Sequence, residues 1–583
     1  MNMYGEFEIR TLPLTLSSSR QRVERFLAAN GLRLDPLDYY AIVTRVDDEE
    51  ILAGGGLQDN VIKCVAVSDE LRGTGMMQSL LSHLLSTARE RGHQQVRVFT
   101  KPGNRSIFES LGFHLLAQSP QAILMENAVG GLTDYCNYLK GLHRPGKNGM
   151  IVMNANPFTQ GHLALVEYAS SMVDTLYVIV VKEDCSRFSY ASRLAMVQAG
   201  CRHVQDTVVC EGSDYAISAT TFPTYFLKEL SSASDMQMLL DLDLCARHLA
   251  PALGATVRFV GSEPTDALTA RYVELMQQQL PLHGIEVVVM PRVTQDGQVV
   301  SASQVRSLLH NGMLSQALPM VPNSTLPYLL SELARQALEE ELLTTPKPGL
   351  VDQHDNGSHS DMDLPLMQSS IEVLRPAFDQ LALLGDSRLL PPGEYLQHLG
   401  VVSERKMLSA THGVNTHRGA LFAMGLTLVA ASHTWHKEHA FKPHALRQNI
   451  MKLAHSIVEV SNGSHGSQAV SAHHVDGALS MARHGYHQLF NEWLPYHMSL
   501  IGDPYRNHKT LLLIMSKLDD TNVIHRVGYE MAQGVKAEAQ ELLRHFSIEG
   551  LEAMNRSFVA RNISPGGAAD MLSLTIFIDS IIN

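Results

Sequence analysis

Residues 151–167, IVMNANPFTQGHLALVE, decide the fold. The apolar run Ile151–Met153 reads as a strand, Asn156-Pro157 breaks it, and Thr159, Gly161 and His162 open a segment with helical periodicity. Further strands are expected at Leu176–Val181, Thr207–Val209, Val257–Val260 and Glu286–Met290, with helices after Gly161 and across Ser192–Ala199. Strand–helix alternation of this kind predicts a parallel, doubly wound, Rossmann-like α/β sheet.

Upstream, β runs at Tyr39–Val46, Glu50–Leu57 and Val61–Val67, a helix at Ser19–Ala29 and a long amphipathic helix after Gly75 describe an α+β unit. A strand at Gln95–Thr100, a helix near Asn104–Leu111 and a strand at Ala122–Met125 complete it, and HRPGKNG (His143–Gly149) reads as its exit linker. Downstream, LPMVPNSTLP (Leu318–Pro327) forms a second boundary, after which β-type runs stop. Helical stretches at Leu329–Leu342, Leu421–Ala431, Ile450–Val460 and His508–Leu518 predict an all-α end. The expectation is a multidomain chain with units at 1–146, 147–322 and 325–583.

A chain of 583 residues exceeds one core, since domains run to about 100–200 residues. Its hydrophobic content of 45% with 18% charged residues is that of a globular protein. A net charge of -13 without a Lys/Arg stripe argues against a nucleic-acid partner. The six cysteines form no CxxC pair, which fits reduced cytosolic thiols better than a zinc ribbon or a disulfide framework. MNMYGEFEIR lacks the apolar core of a signal peptide, and the apolar stretch Met571–Ile582, interrupted by Asp579, suits a buried helix better than a membrane span. A cytoplasmic protein without a membrane partner is expected.

Residues Val65–Leu81, VAVSDELRGTGMMQSLL, set Arg72, Gly73 and Gly75 between a strand and a helix. Glycines there let the backbone approach a ligand, and free amides at the helix start suit a pyrophosphate; a turn that merely connects two elements is the equal alternative. With NRSIFESLGF (Asn104–Phe113), the stretch resembles the acyl-CoA-binding core of the GNAT acetyltransferase family over residues 1–130. The resemblance implies a GNAT-like unit in which Arg72, Gly73 and Gly75 hold a CoA-like arm. Met77 departs from the family's Gly or Ala and would narrow the pyrophosphate slot.

An imidazole at a helix start, beside free amides, can bind triphosphate and stabilise charge while an α-phosphate is attacked. Far downstream, VSASQVRSLL supplies Ser301, Ser303 and Arg306, also at a predicted helix start, where hydroxyls and a guanidinium could grip phosphates. The two pieces resemble the (H/T)xGH and SxSxxR signatures of the nucleotidyltransferase superfamily, with Thr159 at the first position. NANPFTQGH and VGSEPT (Val260–Thr265), preceded by a GNAT-like unit, resemble citrate lyase ligase up to about residue 320. That resemblance implies that ATP activates acetate as acetyl-adenylate and that the acetyl group passes to the prosthetic-group thiol of the lyase's acyl carrier subunit. It makes His162 and Arg306 catalytic, and it assigns Asn156, Thr159, Gly161, Ser301 and Ser303 to ATP. Lys182 could reach the phosphates or be a solvated strand end, and Arg193 at its helix start is equally open.

Three polar clusters mark the last third: TPKPGLVDQHDNGSHSDMD (Thr345–Asp363), THGVNTHRGALFAMG (Thr411–Gly425) and DDTNVIHRVG (Asp519–Gly528). Carboxylates grouped with Asn and His suit Mg²⁺ bound with ATP, although helix capping would also place Asp and Asn there. With ISPGGAADML (Ile563–Leu572), the clusters resemble triphosphoribosyl-dephospho-CoA synthase from about Leu326 to the end. That family joins the ribose of ATP to a ribose hydroxyl of 3'-dephospho-CoA and releases adenine. The resemblance makes Asp361, Asp363, Asp520 and His525 candidates for base or metal ligand, adds Asp352 as a ligand, and gives Lys347, Arg418 and Arg526 to the phosphates. Val527 departs from the family's HRGG and would relax a glycine turn. No tightly bound organic cofactor is implied. A bifunctional enzyme is the leading expectation, against a malonate decarboxylase synthase or a non-catalytic carrier-binding scaffold.

Overall fold

The computed structural model describes residues 6–46, 48–182, 186–215, 233–262, 266–292, 294–295, 298–458 and 475–582. The chain divides into two compact units, residues 1–156 with 161–300, and residues 157–160 with 301–583.

The first unit contains two larger sheets. In one, β1 (Phe7–Thr11), β2 (Tyr39–Arg45), β3 (Ala53–Gln58) and β4 (Val61–Val67) pair antiparallel in sequence order. β5 (Val96–Thr100) joins β4 in parallel through Val61–Arg97 and Ile62–Val98, and β6 (His114–Gln118) and β7 (Ile123–Asn127) complete the order β1-β2-β3-β4-β5-β7-β6. Beyond Ile62 and Val98 no β4–β5 pairs follow, so the two strands part toward the loop that carries Arg72. The helix Met76–Glu90 covers this sheet with Leu80, Leu81, Leu84, Leu85 and Ala88. Gly55 is required under it, because a Cβ would strike Leu84 and Val65.

The second sheet comprises β8 (Asn148–Met153), β9 (Thr175–Val180), β10 (Thr207–Cys210), β11 (Ala255–Gly261) and β12 (Glu286–Met290). All pairs are parallel in the order β10-β9-β8-β11-β12, so the winding reverses between β8 and β11. Ligands in such sheets sit at the carboxyl edge beside that reversal.

The segment read as an exit linker is not a free tether. Arg144 N–H donates to Tyr177 Oη at 2.8 Å, Lys147 N–H to Asp174 Oδ2 at 2.7 Å, and Asn148 already belongs to β8. One apolar core runs through both sheets, from Val23, Leu27 and Tyr40 to Met150, Tyr177, Leu253 and Ile285. Polar ties cross with it: Tyr215 Oη lies 2.9 Å from Glu126, and Gln118 N–H donates to Asp243 at 2.8 Å. The five described cysteines are free and buried; Cys185 lies outside the described residues.

The second unit is helical, and no strand occurs among its described residues. The helices Leu326–Leu343 and Gly566–Ile582 are buried along most of their length, with Leu364–Gly385 and Arg418–Glu438 packed around them. Asp579, the break in the apolar stretch, is buried and accepts Arg506 Nη2 at 2.7 Å. Among the described residues, no helix is long and apolar enough to cross a membrane.

Candidate functional site

In the first unit the polar residues gather where β8, β11 and β12 end. Arg193 is fully buried and holds the turn after β8: its Nη1 donates to Asn154 O at 2.8 Å and Val181 O at 2.7 Å, and its Nε to Phe188 O at 3.2 Å. Those carbonyls make Arg193 a brace for the loop. Asn156 Oδ1 accepts Phe188 N–H at 3.2 Å, and Ala155 holds a left-handed φ of 50° in the same turn.

Gly161 and His162 then start the helix Gln160–Ser170. Burial, and next the Arg292 guanidinium, pull the His162 pKa down to about 4, so its imidazole is neutral at neutral pH. Arg292 follows β12, where its Nε donates to Ser262 O at 3.0 Å and its amide to Ser262 Oγ at 3.1 Å. Arg292 carries only one sequence signal, a basic residue two positions after a strand of the α/β sheet. Lys182 is half-exposed and pairs with Asp214 at 3.3 Å. Of the VGSEPT stretch, Glu263–Thr265 lie outside the described residues.

At the GNAT-like turn, Gly73 and Gly75 have left-handed φ values of 78° and 86°, and Gly75 starts the helix Met76–Glu90 without a side-chain cap. Helix-start amides without a cap are available to an anion. Met77 is partly buried against the core, and Arg72 is exposed and paired with Asp69 at 2.6 Å.

The other residues that the motifs assign to ATP belong to the second unit. Thr159 is buried, Ser301 caps the helix Ala302–His310 by accepting Gln304 N–H at 3.1 Å, and Arg306 Nη2 donates to Ser303 Oγ at 3.0 Å.

In the helical unit, the loop after Leu326–Leu343 is pinned from within. Buried Asp352 accepts the amide of Lys347 at 2.8 Å on Oδ2, and those of His354 at 2.7 Å and Asp355 at 3.2 Å on Oδ1. Lys347 is buried, with Nζ 2.5 Å from Glu341 Oε1. Arg526 Nη1 donates to Ser358 O at 2.9 Å and Nη2 to His359 Nδ1 at 3.2 Å, while His359 Nε2 meets Ser564 Oγ at 2.8 Å.

Two helix starts are stitched together beside this loop. Asp520 caps Thr521–Val527 through the Asn522 amide at 2.9 Å and also accepts Ala568 N–H, in the first turn of Gly566–Ile582, at 2.9 Å. Asp570, on that turn, accepts Ala420 N–H at the start of Arg418–Glu438, and a Cβ on Gly419 would run into its carboxylate. Burial, then the charges of Asp520 and Glu341, hold the Asp570 carboxyl well above the usual carboxylate range. Burial likewise raises Asp520 despite four backbone amides. Glu341, Asp570 and His417 complete a polar interior with Lys347, and no local sequence pattern assigns any of the three a role.

Other expected residues lie at the edge of this interior. Asp363 is exposed and caps Leu364–Gly385, Asp361 is exposed with Oδ1 3.7 Å from His359 Nδ1, His525 is exposed, and Arg418 pairs with Glu404 at 3.1 Å. The turn questioned at Val527 is made by Gly528, with φ of 85°. Among the described residues no three His, Cys, Asp or Glu side chains form a metal-binding group. Mg²⁺ carried by phosphates needs only one or two carboxylates. Exposed Asp361 and Asp363 fit that demand, whereas the oxygens of Asp352 and Asp520 are committed to amides.

Two family models divide the chain: citrate lyase ligase C-terminal domain matches residues 148–329, and ATP:dephospho-CoA triphosphoribosyl transferase matches residues 327–583. A [citrate [pro-3S]-lyase] ligase of Klebsiella pneumoniae is 41% identical over 317 residues, 53% of this chain and 92% of that protein. A probable 2-(5''-triphosphoribosyl)-3'-dephosphocoenzyme-A synthase of Pectobacterium carotovorum subsp. carotovorum is 33% identical over 301 residues, 49% of this chain and 97% of that protein. The Escherichia coli ElaA crystal structure covers 21% of this chain and 99% of its own at 19% identity, with a TM-score of 0.18. The chain therefore belongs to two families at once, the citrate lyase ligases in its first half and the triphosphoribosyl-dephospho-CoA synthases in its second.

Proposed function

We propose that the chain is a bifunctional citrate lyase maturation enzyme that makes the precursor of the lyase's prosthetic group and acetylates the group once it is attached. The observation that carries this reading is the pairing of two near-complete family members in one chain, each with its own cluster of polar side chains. The ligase half favours citrate lyase over malonate decarboxylase as the client.

In the ligase reaction, ATP and acetate give acetyl-adenylate and pyrophosphate, and the acetyl group then passes to the carrier's thiol with release of AMP. His162, neutral at the helix start, donates a hydrogen bond to the α-phosphate as charge builds there, and Arg292 adds positive charge beside it. Asn156, Thr159, Gly161, Ser301, Ser303 and Arg306 bind phosphate as the motifs imply, and Lys182 does so if it leaves Asp214. The uncapped turn at Gly73–Gly75, with Arg72, holds the CoA-like arm.

In the synthase reaction, the ribose of ATP passes to a hydroxyl of 3'-dephospho-CoA and adenine leaves, through an oxocarbenium-like state. Arg526 and Arg418 offset triphosphate charge at the rim. Mg²⁺ supplies Lewis-acid neutralisation of the phosphates when bound, and Asp361 and Asp363 would hold it.

Purified protein supplied with ATP, Mg²⁺ and dephospho-CoA should yield free adenine and a triphosphoribosyl adduct by mass spectrometry. With acetate and deacetylated lyase it should yield AMP. Absence of the adduct removes the synthase assignment, and absence of acetate-dependent AMP removes the ligase assignment.

A further inference from the structure

The helical unit holds a buried imidazole with one nitrogen satisfied and the other not. His417 is 3% exposed; its Nδ1 lies 2.8 Å from Ser370 Oγ, which lies 2.7 Å from Thr416 Oγ1. Nε2 is buried without a hydrogen-bonding partner among the described residues. Leaving such a group unpaired costs about 1–3 kcal/mol, and the bond at Nδ1 keeps the ring from turning to relieve it. Burial, then the Lys347 cation, lower its pKa to about 4, so the ring is neutral at neutral pH.

A second unpaired polar atom belongs to the same neighbourhood. Tyr486 is 3% exposed, its hydroxyl has no partner among the described residues, and its backbone holds a left-handed φ of 48°. Such a conformation in a non-glycine residue costs on the order of 1–3 kcal/mol and gathers at ligand sites. The link between the two is Asp570, whose charge acts on Tyr486 and whose carboxylate accepts the Ala420 amide in the turn that follows His417. One of these buried, unpaired polar atoms lies beside Asp570 and the other on the helix start that Asp570 holds, and a pair of this kind calls for a polar ligand.

Resting on the synthase reading above, we propose that His417 Nε2 touches the ribose hydroxyl of dephospho-CoA and accepts its proton as that oxygen attacks the ribose of ATP. The bond from the ribose anomeric carbon to adenine breaks with its electron pair remaining on adenine. The hydroxyl oxygen bonds to that carbon, the hydroxyl proton passes to Nε2, and adenine takes up one proton as it departs. A hydroxyl bonding to an oxocarbenium carbon becomes strongly acidic, so a neutral imidazole of low proton affinity suffices. Glu341, paired with Lys347, limits the repulsion that the new imidazolium would meet.

The test uses the full chain. In His417→Asn the amide falls where Nδ1 was and keeps the Ser370 contact while removing Nε2; in His417→Gln the amide reaches the Nε2 position but cannot accept a proton. Both variants should retain the wild-type melting temperature and acetate-dependent AMP formation while adenine release falls at least 100-fold, the general-base range. Adenine release by His417→Asn within threefold of wild type overturns the proposal, and recovery by His417→Gln to within tenfold reduces the residue to positioning. If neither variant folds, the imidazole is structural and the proposal falls. A wild-type chain that releases no adenine fails the synthase reading instead.

Discussion

At the scale of single residues, the ligase half turns on two basic side chains with opposite charge states, a neutral imidazole and a permanent guanidinium cation. His162 has a folded pKa of about 4, below its unfolded value of about 6.5, so the unfolded chain binds the proton more readily between these limits. Its contribution to stability is complete above pH 6.5 and is lost as the pH falls through about 4. Denaturant titrations of wild type and His162→Asn at pH 7 and 4.5 should show the variant losing about 2 kcal/mol less on acidification. Arg193 is the converse, a permanent cation encircled by carbonyls. Arg193→Met should cost about 3 kcal/mol in urea unfolding and lower AMP formation with it, because the Asn154–Asn156 turn loses its brace. Spacing made His162 legible, since TQGH follows a strand. The bracing role of Arg193 rests on backbone carbonyls of which Asn154 and Val181 lie far from it in sequence, and Arg292 needed the sheet order to bring it near.

At the scale of elements, the helical site is built from helix starts, and the residues that sequence singles out as chemistry often turn out to be joinery. Asp520 is the clearest case: its carboxylate ties Thr521–Val527 to the first turn of Gly566–Ile582. Asp520→Ala should cost about 3 kcal/mol in a denaturation followed by helical signal, from a lost cap plus stranded amides. A shift in Mg²⁺ dependence without destabilisation would mark it as a ligand instead. Strands such as Val61–Val67 and Glu286–Met290 were readable to the residue because β-branched runs leave little choice. The short β6, HLLAQ, and the helix Gly131–Leu142, which begins with glycine and carries β-favouring tyrosines, gave no such periodicity. Asp570 and His417 were visible as members of quoted motifs, but their roles depend on where Arg418–Glu438 begins relative to Gly566–Ile582, and no local pattern encodes that.

At the scale of the whole molecule, two reactions in one chain should separate cleanly by mutation. His162→Ala should abolish acetate-dependent AMP formation by at least 100-fold and leave adenine release within twofold of wild type, assayed on the same preparation. Loss of both activities together would mean that the substitution damages folding instead of chemistry. The division into an α+β part, a parallel α/β part and a helical part was legible in the change from strand-rich to helical periodicity. The binding of the first two into one body was not, because HRPGKNG has a linker's composition while its backbone is held by Tyr177 and Asp174. That has a practical corollary for anyone dissecting the chain. A cut at residue 146, where composition invites it, would lay bare Leu132, Leu139, Met150 and Tyr177 as a greasy scar on both fragments. Neither piece should stay monomeric, and the smallest graftable block that carries the α/β sheet brings the seven-stranded sheet with it.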